Sequence, residues 1–536
     1  MKIRKFLLLV MATVVLFLVA CTNEEAGGSK EVELDKEKLK NVTDSELPIV
    51  KEQISLDFFA GQTPATAEDW NDVMIFNKYE EMTNIDIKWQ MVPSASLKEK
   101  RNLALASGNI PDAFHSASFS NLDIFKYGQR GTFIKLNGLI DEYAPNLKKL
   151  LEEYPDIKKS ITFPDGNIYS FPTIFSPDFL AVLMYVKPWI REDWLNTLNM
   201  DMPQTTEEFY QYLKAVKEKD PNGNGEADEI PFGASSINSL VKLIQGSYGV
   251  GNRGVSFIDM DPQEKNVRFY PITDGYKETL KYVNKLYSEK LIQQNIFTIE
   301  WDQYLANASK GLYGSTIFNS PEELFGGDVG KSYTGMPTLE GPHGDKLFTI
   351  MSSPVFNMGG FVITDKNEHP AATIRWMDHF YSDEGAKLFF MGIEGKTFKE
   401  TSEGEYEFLD EVKNEGGAPI LSNYLTYPGG GYPGIVKKEF FQGAESSPSE
   451  VKAAKKLEPD MIEEVWPDFT YTEEESRVLS SSGADIEKYV KEMRDKFITG
   501  DLPFSEWDKY VETIKDMGLD EYLEIKQAAY ERYKSK

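Results

Sequence analysis

The first pattern along the chain is an unbroken apolar one. Lys2, Arg4 and Lys5 are followed by the fifteen residues Phe6 to Ala20, none of them charged. That run falls short of the about 20 residues a bilayer-spanning helix needs. A basic start, an apolar middle and small residues at the end are the layout of a secretory leader, so residues 1–20 are expected to be a signal peptide. Residues 21–50 are charged, with few apolar positions and no aromatic, and are expected to form a flexible tether. At Ile54 the pattern changes. Ile54, Leu56 and Phe58 alternate as in a strand; Trp70, Val73, Phe76, Asn77 and Tyr79 recur at helical spacing; Ile85, Ile87 and Trp89 alternate again. Strand, helix and strand on short loops make a βαβ unit, hence a parallel sheet.

The same signals continue downstream. A helix from about Leu97 to Ala106 ends at Ser107-Gly108, and Pro111 to Ser116 leads into another strand. Thr205 and Glu208 have the spacing of a capping box. Tyr276, Leu280, Val283, Leu286 and Tyr287 share one helical face. Pro370–Phe390 reads as a pair of helices, and 486–533 as helical with breaks at Gly500 and Gly518. The order is mixed α/β first and helix-rich last.

Composition narrows the function classes. With 41% hydrophobic and 13% aromatic residues in 536, the chain is globular and long enough for two or three domains. Loss of the leader takes the net charge from −28 to −31, because Lys2, Arg4 and Lys5 go with it. So acidic a protein repels nucleic acid and anionic lipid headgroups, and both are excluded as partners. Cys21 is the only cysteine, so no intrachain disulfide forms. It closes Leu18-Val19-Ala20-Cys21, which resembles the bacterial lipoprotein box. The resemblance implies a diacylglyceryl group on Cys21 as the mature N-terminus. At ~0.8 kcal/mol per buried methylene, such acyl chains would hold the protein on a membrane outside the cytoplasm.

Catalytic motifs are scarce. The histidines are His115, His343, His369 and His379, and no HExxH, CxxC or GxSxG occurs. Gly249 to Gly254 matches GxGxxG but follows an apparently helical run, Ser239 to Gln245, where a dinucleotide fold needs a strand; it reads as a glycine-rich loop. With 86 acidic residues, carboxylate pairs suited to a glycosidase arise by chance, and none is singled out. One loop is sharper. From Asp220, oxygen-bearing side chains recur at Asn222, Asn224 and Asp228, with Gly225 at the sixth place, as in an EF-hand calcium loop. It departs at the twelfth place, which is Pro231, and Glu229 at the tenth could close the set. A polar turn after the helix ending near Lys219 is the competing reading.

Ser107-Gly108-Asn109-Ile110-Pro111-Asp112 opens a series of motifs that runs along almost the whole mature chain. Gly131-Thr132-Phe133-Ile134-Lys135-Leu136, Tyr143-Ala144-Pro145-Asn146, Arg191-Glu192-Asp193-Trp194-Leu195 and Gly341-Pro342-His343-Gly344 follow. Gly392-Ile393-Glu394-Gly395, Phe497-Ile498-Thr499-Gly500-Asp501 and Gln527-Ala528-Ala529-Tyr530 complete it. In this order the chain resembles the extracellular solute-binding proteins, family 1, of ABC importers, within them the lipoprotein subgroup of alginate-oligosaccharide-binding proteins. The resemblance implies an α/β, two-lobed periplasmic-binding-protein-like fold (type II), with discontinuous lobes, a hinge and a helix-rich C-terminus. The lobes would be 51–172 with 354–397, and 173–353 with 398–536. Crossovers would lie near Tyr169-Ser170-Phe171-Pro172 and Pro354 to Gly360. It further implies structural Ca2+ held by Asp220, Asn222, Asn224, Asp228, Glu229 and the backbone of Glu226.

The implied function is capture of a carbohydrate, an oligosaccharide, in the interlobe cleft and its delivery to the permease subunits of an ABC importer, by a monomer without catalytic activity. A secreted polysaccharide-degrading enzyme, and a peptide or metabolite receptor on the same fold, are the alternatives. Sugars pack their C–H faces on aromatic rings and bind amides and carboxylates through hydroxyls. Loop and crossover residues of those types are Gln62, Trp70, Ser116, Tyr127, Phe171, Tyr248, Trp301, Asn319, Phe356 and Tyr427. Trp194 shares a helix with Leu195 and Leu198 and reads as core, whereas Tyr424, Tyr427 and Tyr432 flank a glycine run that suits a cleft loop.

Overall fold

The computed structural model describes residues 34–63, 66–402, 404–414, 424–425 and 432–536, apart from the side chains of 324, 413 and 414. Cys21, Tyr427 and the expected leader lie outside the described residues. The chain begins its first sheet with β1 (Ile54–Gln62), β2 (Ile85–Pro93), β3 (Ala113–His115) and β4 (Phe171–Phe175). It then builds β5 (Lys187–Arg191), β6 (Ile230–Gly233), the pair β7 (Ile258–Met260) and β8 (Val267–Phe269), β9 (Tyr313–Phe318) and β10 (Tyr333–Gly335). It returns as β11 (Val355–Ile363), adds the hairpin β12 (Phe398–Ser402) and β13 (Glu405–Phe408), and lays down β14 (Gly434–Val436). The six-stranded sheet has the order β14-β4-β11-β3-β1-β2, and the four-stranded sheet β10-β5-β9-β6. Each sheet carries its own large core, so the molecule has two lobes.

The βαβ reading of the first lobe holds. β1 and β2 are parallel with Ile54 opposite Ile85 and Phe58 opposite Trp89. The alternating residues point into one aromatic core, where Phe58 meets Trp89, Phe361 and Trp376 edge-on at 5.3–5.5 Å. The Thr205–Glu208 capping box forms, Thr205 accepting from the Glu208 amide at 3.1 Å and Glu208 from the Thr205 amide at 3.2 Å. Helices at Asp274–Ser288, Ala484–Thr499, Trp507–Asp516 and Leu519–Ser535 stand where the periodicity places them. Gly500 and Gly518 break the last three with φ of 85° and 98°, a region glycine enters without the Cβ penalty.

Several boundaries differ from expectation. The stretch expected as tether is ordered from residue 34: Asp35 caps a turn of helix at Lys36–Leu39, Val42 bridges Val50, and Ile49 and Val50 are buried in the first-lobe core. Arg375 fastens it by donating to the carbonyls of Thr43 (2.5 Å) and Glu46 (3.1 Å). A charge-rich average concealed its thin apolar face. The chain also stays in the first lobe beyond 398: β14 pairs with β4, and Phe398, Phe440 and Phe441 join the first-lobe core.

The expected hinge segments are strands instead. Phe171 starts β4, an inner strand, and Gly359 and Gly360 lie within β11. There a Cβ would meet the carbonyl oxygens of Phe119 at 2.8 Å and Phe171 at 2.9 Å, so these glycines serve close approach of backbones. The chain crosses between sheets at 176–186, at 336–354 and again after β14.

Candidate functional site

Parallel strands β1 and β3 end side by side in the first lobe, and ligands of open α/β sheets bind outside such carboxyl ends. A cavity of about 190 Å³ opens there, lined by Gln62, Thr63, Trp70, Ser94, His115, Ser116, Ser118, Asn357, Phe389 and Tyr432 among others. Backbone contacts fix its floor. The Ser116 amide donates to the Gly360 carbonyl at 2.7 Å, and Ser116 takes φ of 50° to turn out of β3. Gly61 is required beside it, because a Cβ there would stand 2.3 Å from the Ser116 carbonyl oxygen. Trp70 caps one wall; its indole N–H donates to Thr66 at 2.8 Å, and its ring packs edge-on to Trp89 and His115. Tyr432 stacks on Phe389 with ring centres 3.5 Å apart. His115 is buried with no hydrogen-bond partner at Nδ1, and burial among rings pushes its pKa down to about 3, so it is neutral.

The second lobe exposes a different strip at the carboxyl end of β9. Trp301 is 49% exposed and stacks on Phe318, and Asn319 donates to the Tyr185 hydroxyl at 3.2 Å. Tyr185 is itself 50% exposed. On the crossover strands Phe356 is exposed and packs against Phe175.

The structure thus brings Gln62, Trp70 and Ser116 together in one cavity and puts Trp301 and Asn319 together in the other lobe. Phe171 is buried against Phe361 and Tyr381 and Tyr248 is buried in the second-lobe core beside Tyr282, so these two are packing residues, while Tyr127 is half-buried and packs on Phe133. Tyr127 lies within the helix Asn121–Gln129 rather than in a loop. Trp194 is core, as expected, with the Arg191 guanidinium 4.5 Å above its ring. His115 ends the strand expected after Pro111, a signal that could have marked it, whereas Asn357, Phe389 and Tyr185 reach their sites from elements with no such local signal.

The loop Asp220–Glu229 is coiled on itself. Asp220 accepts from the amides of Gly223 (2.7 Å), Asn224 (3.2 Å) and Gly225 (2.8 Å), and Gly223 and Gly225 have φ of 71° and 81°. Asp228 accepts from the side-chain amides of Asn222 (2.9 Å) and Asn224 (3.2 Å), and Asn224 accepts from the Glu226 amide at 2.7 Å. One oxygen of Glu229 is buried without a partner, and burial, with Asp220 and Asp228 nearby, raises its pKa. Among the described residues no three His, Cys, Asp or Glu side chains converge as a metal site, so an oxygen cage here needs the two asparagines as well.

Two α/β lobes joined by three crossings, with a cavity at the strand ends whose described lining is uncharged, have the architecture of the two-lobed binding-protein class. The chain belongs to the bacterial extracellular solute-binding proteins, whose family pattern matches residues 64–387. It is 30% identical to the fructooligosaccharide ABC transporter substrate-binding protein FusA of Streptococcus pneumoniae serotype 4 (strain ATCC BAA-334 / TIGR4), over 97% of this chain and 96% of that one. It is 26% identical to Lipoprotein LipO of Bacillus subtilis (strain 168), over 85% and 88%. Solved structures of S. pneumoniae FusA, with kestose and as an EF-hand mutant with fructo-nystose, superpose at TM-score 0.73 and 29% identity, covering 90% of this chain and 100% of theirs. The family is one of solute-binding proteins, and FusA is a substrate-binding protein of an ABC transporter. Among the described residues no helix is long and apolar enough to cross a membrane.

Proposed function

We propose that this protein captures an oligosaccharide between its lobes and delivers it to the permease of an ABC importer. The first-lobe cavity carries the reading: an indole, a stacked Tyr432–Phe389 pair and hydroxyl and amide side chains at the ends of parallel strands match the apolar faces and hydroxyls of a sugar. FusA, similar over nearly the whole chain, is named for fructooligosaccharide transport. Trp301, Asn319 and Phe356 would complete the site from the second lobe and the crossover, and closure would follow from the ligand's differential affinity for the closed state.

Lipid on Cys21 would hold the protein at the outer face of the membrane, a reading supported by the lipobox-like residues and by the similarity to LipO. The 220–229 loop would hold Ca2+ through Asp220, Asn222, Asn224, Asp228, Glu229 and the Glu226 carbonyl. The unpartnered, buried Glu229 oxygen, with Asp220 and Asp228 near enough to raise its pKa, fits a cation, and one FusA structure is of an EF-hand mutant. A thermal-shift screen of residues 22–536 against glycans and peptides tests the function, since a ligand stabilises by RT ln(1 + [L]/Kd). A glycan hit released unchanged supports it; a peptide as the sole hit, or steady hydrolysis of the glycan, refutes it.

A further inference from the structure

The lining of the first-lobe cavity is chemically one-sided. Among the described residues it offers hydroxyls, carboxamides and rings, and contains no Asp, Glu, Lys or Arg. Arg101, on the helix that carries the lining residues Ser94 and Leu97, is engaged elsewhere. Its guanidinium donates to the Ala117 carbonyl at 2.8 Å and to the Ser118 carbonyl, lies 3.7 Å from Asp123, and sits over the Phe119 ring.

We infer, building on the carbohydrate reading, that the captured oligosaccharide is electrically neutral, and that uronic acids and amino sugars with free amines are excluded. The reason is desolvation. A carboxylate or ammonium drawn into a closing cavity loses its water, and that cost is recovered only by an opposite charge, which the lining does not supply. At long range the net charge of −31 without the leader adds repulsion of any acidic glycan.

The test is calorimetric titration of residues 22–536 with neutral trisaccharides (kestose, maltotriose, xylotriose and cellotriose), with trigalacturonate and with the glucosamine trimer, each at low and high salt. A neutral trisaccharide binding with salt-independent affinity, and both charged ones about 100-fold weaker or worse, supports the inference. Trigalacturonate or the glucosamine trimer binding as tightly as the best neutral probe overturns it and leaves the carbohydrate reading standing. No binding by any glycan, charged or neutral, overturns the carbohydrate reading and the inference together.

Discussion

Lys187 opens β5, and Glu450 lies in the first turn of the helix Pro448–Leu457 that follows the third crossing. Lys187 Nζ and Glu450 Oε2 are 2.6 Å apart, and both side chains are wholly buried. Nζ also donates to the Ala181 carbonyl at 3.1 Å, while Glu450 Oε1 has no partner. Burial pushes Glu450 up to about 7 and Lys187 down, each opposed by the other's charge. Removing one partner therefore strands a charge in a dry site, a change that costs about 3–5 kcal/mol. The stranded group escapes by neutralising, and that sets the size. In Lys187→Met the carboxyl takes a proton, which from its ordinary 4.5 costs ~3.4 kcal/mol at pH 7. In Glu450→Gln the ammonium loses one, which from 10.5 costs ~4.8 kcal/mol.

The pH dependences are opposite in sign. A stranded carboxyl has a raised pKa, so its stability contribution is intact below 4.5 and lost as pH rises. A stranded ammonium has a lowered pKa, so its contribution is intact above 10.5 and lost as pH falls. The difference between the two variants cancels the wild-type baseline and should change by about 1.4–2.7 kcal/mol per pH unit. It should change sign near the midpoint of the two ordinary values, about pH 7.5, with Lys187→Met the more stable below it. Urea unfolding followed by tryptophan fluorescence between pH 6 and 9 reads this directly. Parallel pH curves for the two variants, or losses below about 1 kcal/mol, would refute the claim that the pair is desolvated.

Three further predictions follow from the site. Trp301→Ala should weaken oligosaccharide binding by about 1–3 kcal/mol with little change in melting temperature, since the ring is half exposed; calorimetry showing unchanged affinity removes Trp301 from the site. Chelator should lower the melting temperature and calcium restore it, by about 2.7 kcal/mol at 100 times Kd. Asp220→Ala with Asp228→Ala should abolish that response, and a melting curve indifferent to both treatments of the wild type removes the metal. Cys21→Ser should release the protein from membranes or leave it unprocessed; normal membrane retention of the correctly cut variant defeats the lipid anchor.

Local periodicity carried the elements. The alternation of Ile54, Leu56 and Phe58, the Thr205–Glu208 cap and the helix around Leu280 and Val283 each depend on neighbours a few residues away, so the chain alone determined them. The motif series determined the family in the same way. Which aromatics are free to meet a ligand depends on contacts across hundreds of residues. Phe171 and Trp301 are both rings in a plausible place, but Phe171 is walled in by Phe361 and Tyr381, whereas Trp301 has a partner, Phe318, on one face and remains half exposed. Lobe boundaries were decided at the same range, because β14 belongs to the first lobe only through its pairing with β4. The cavity arises where Gly61, Ser116 and Gly360 bring three strands into contact. Side-chain chemistry was readable from the sequence; which side chains share a space was settled only when the sheets assembled, because burial is a property of packed elements and not of residues.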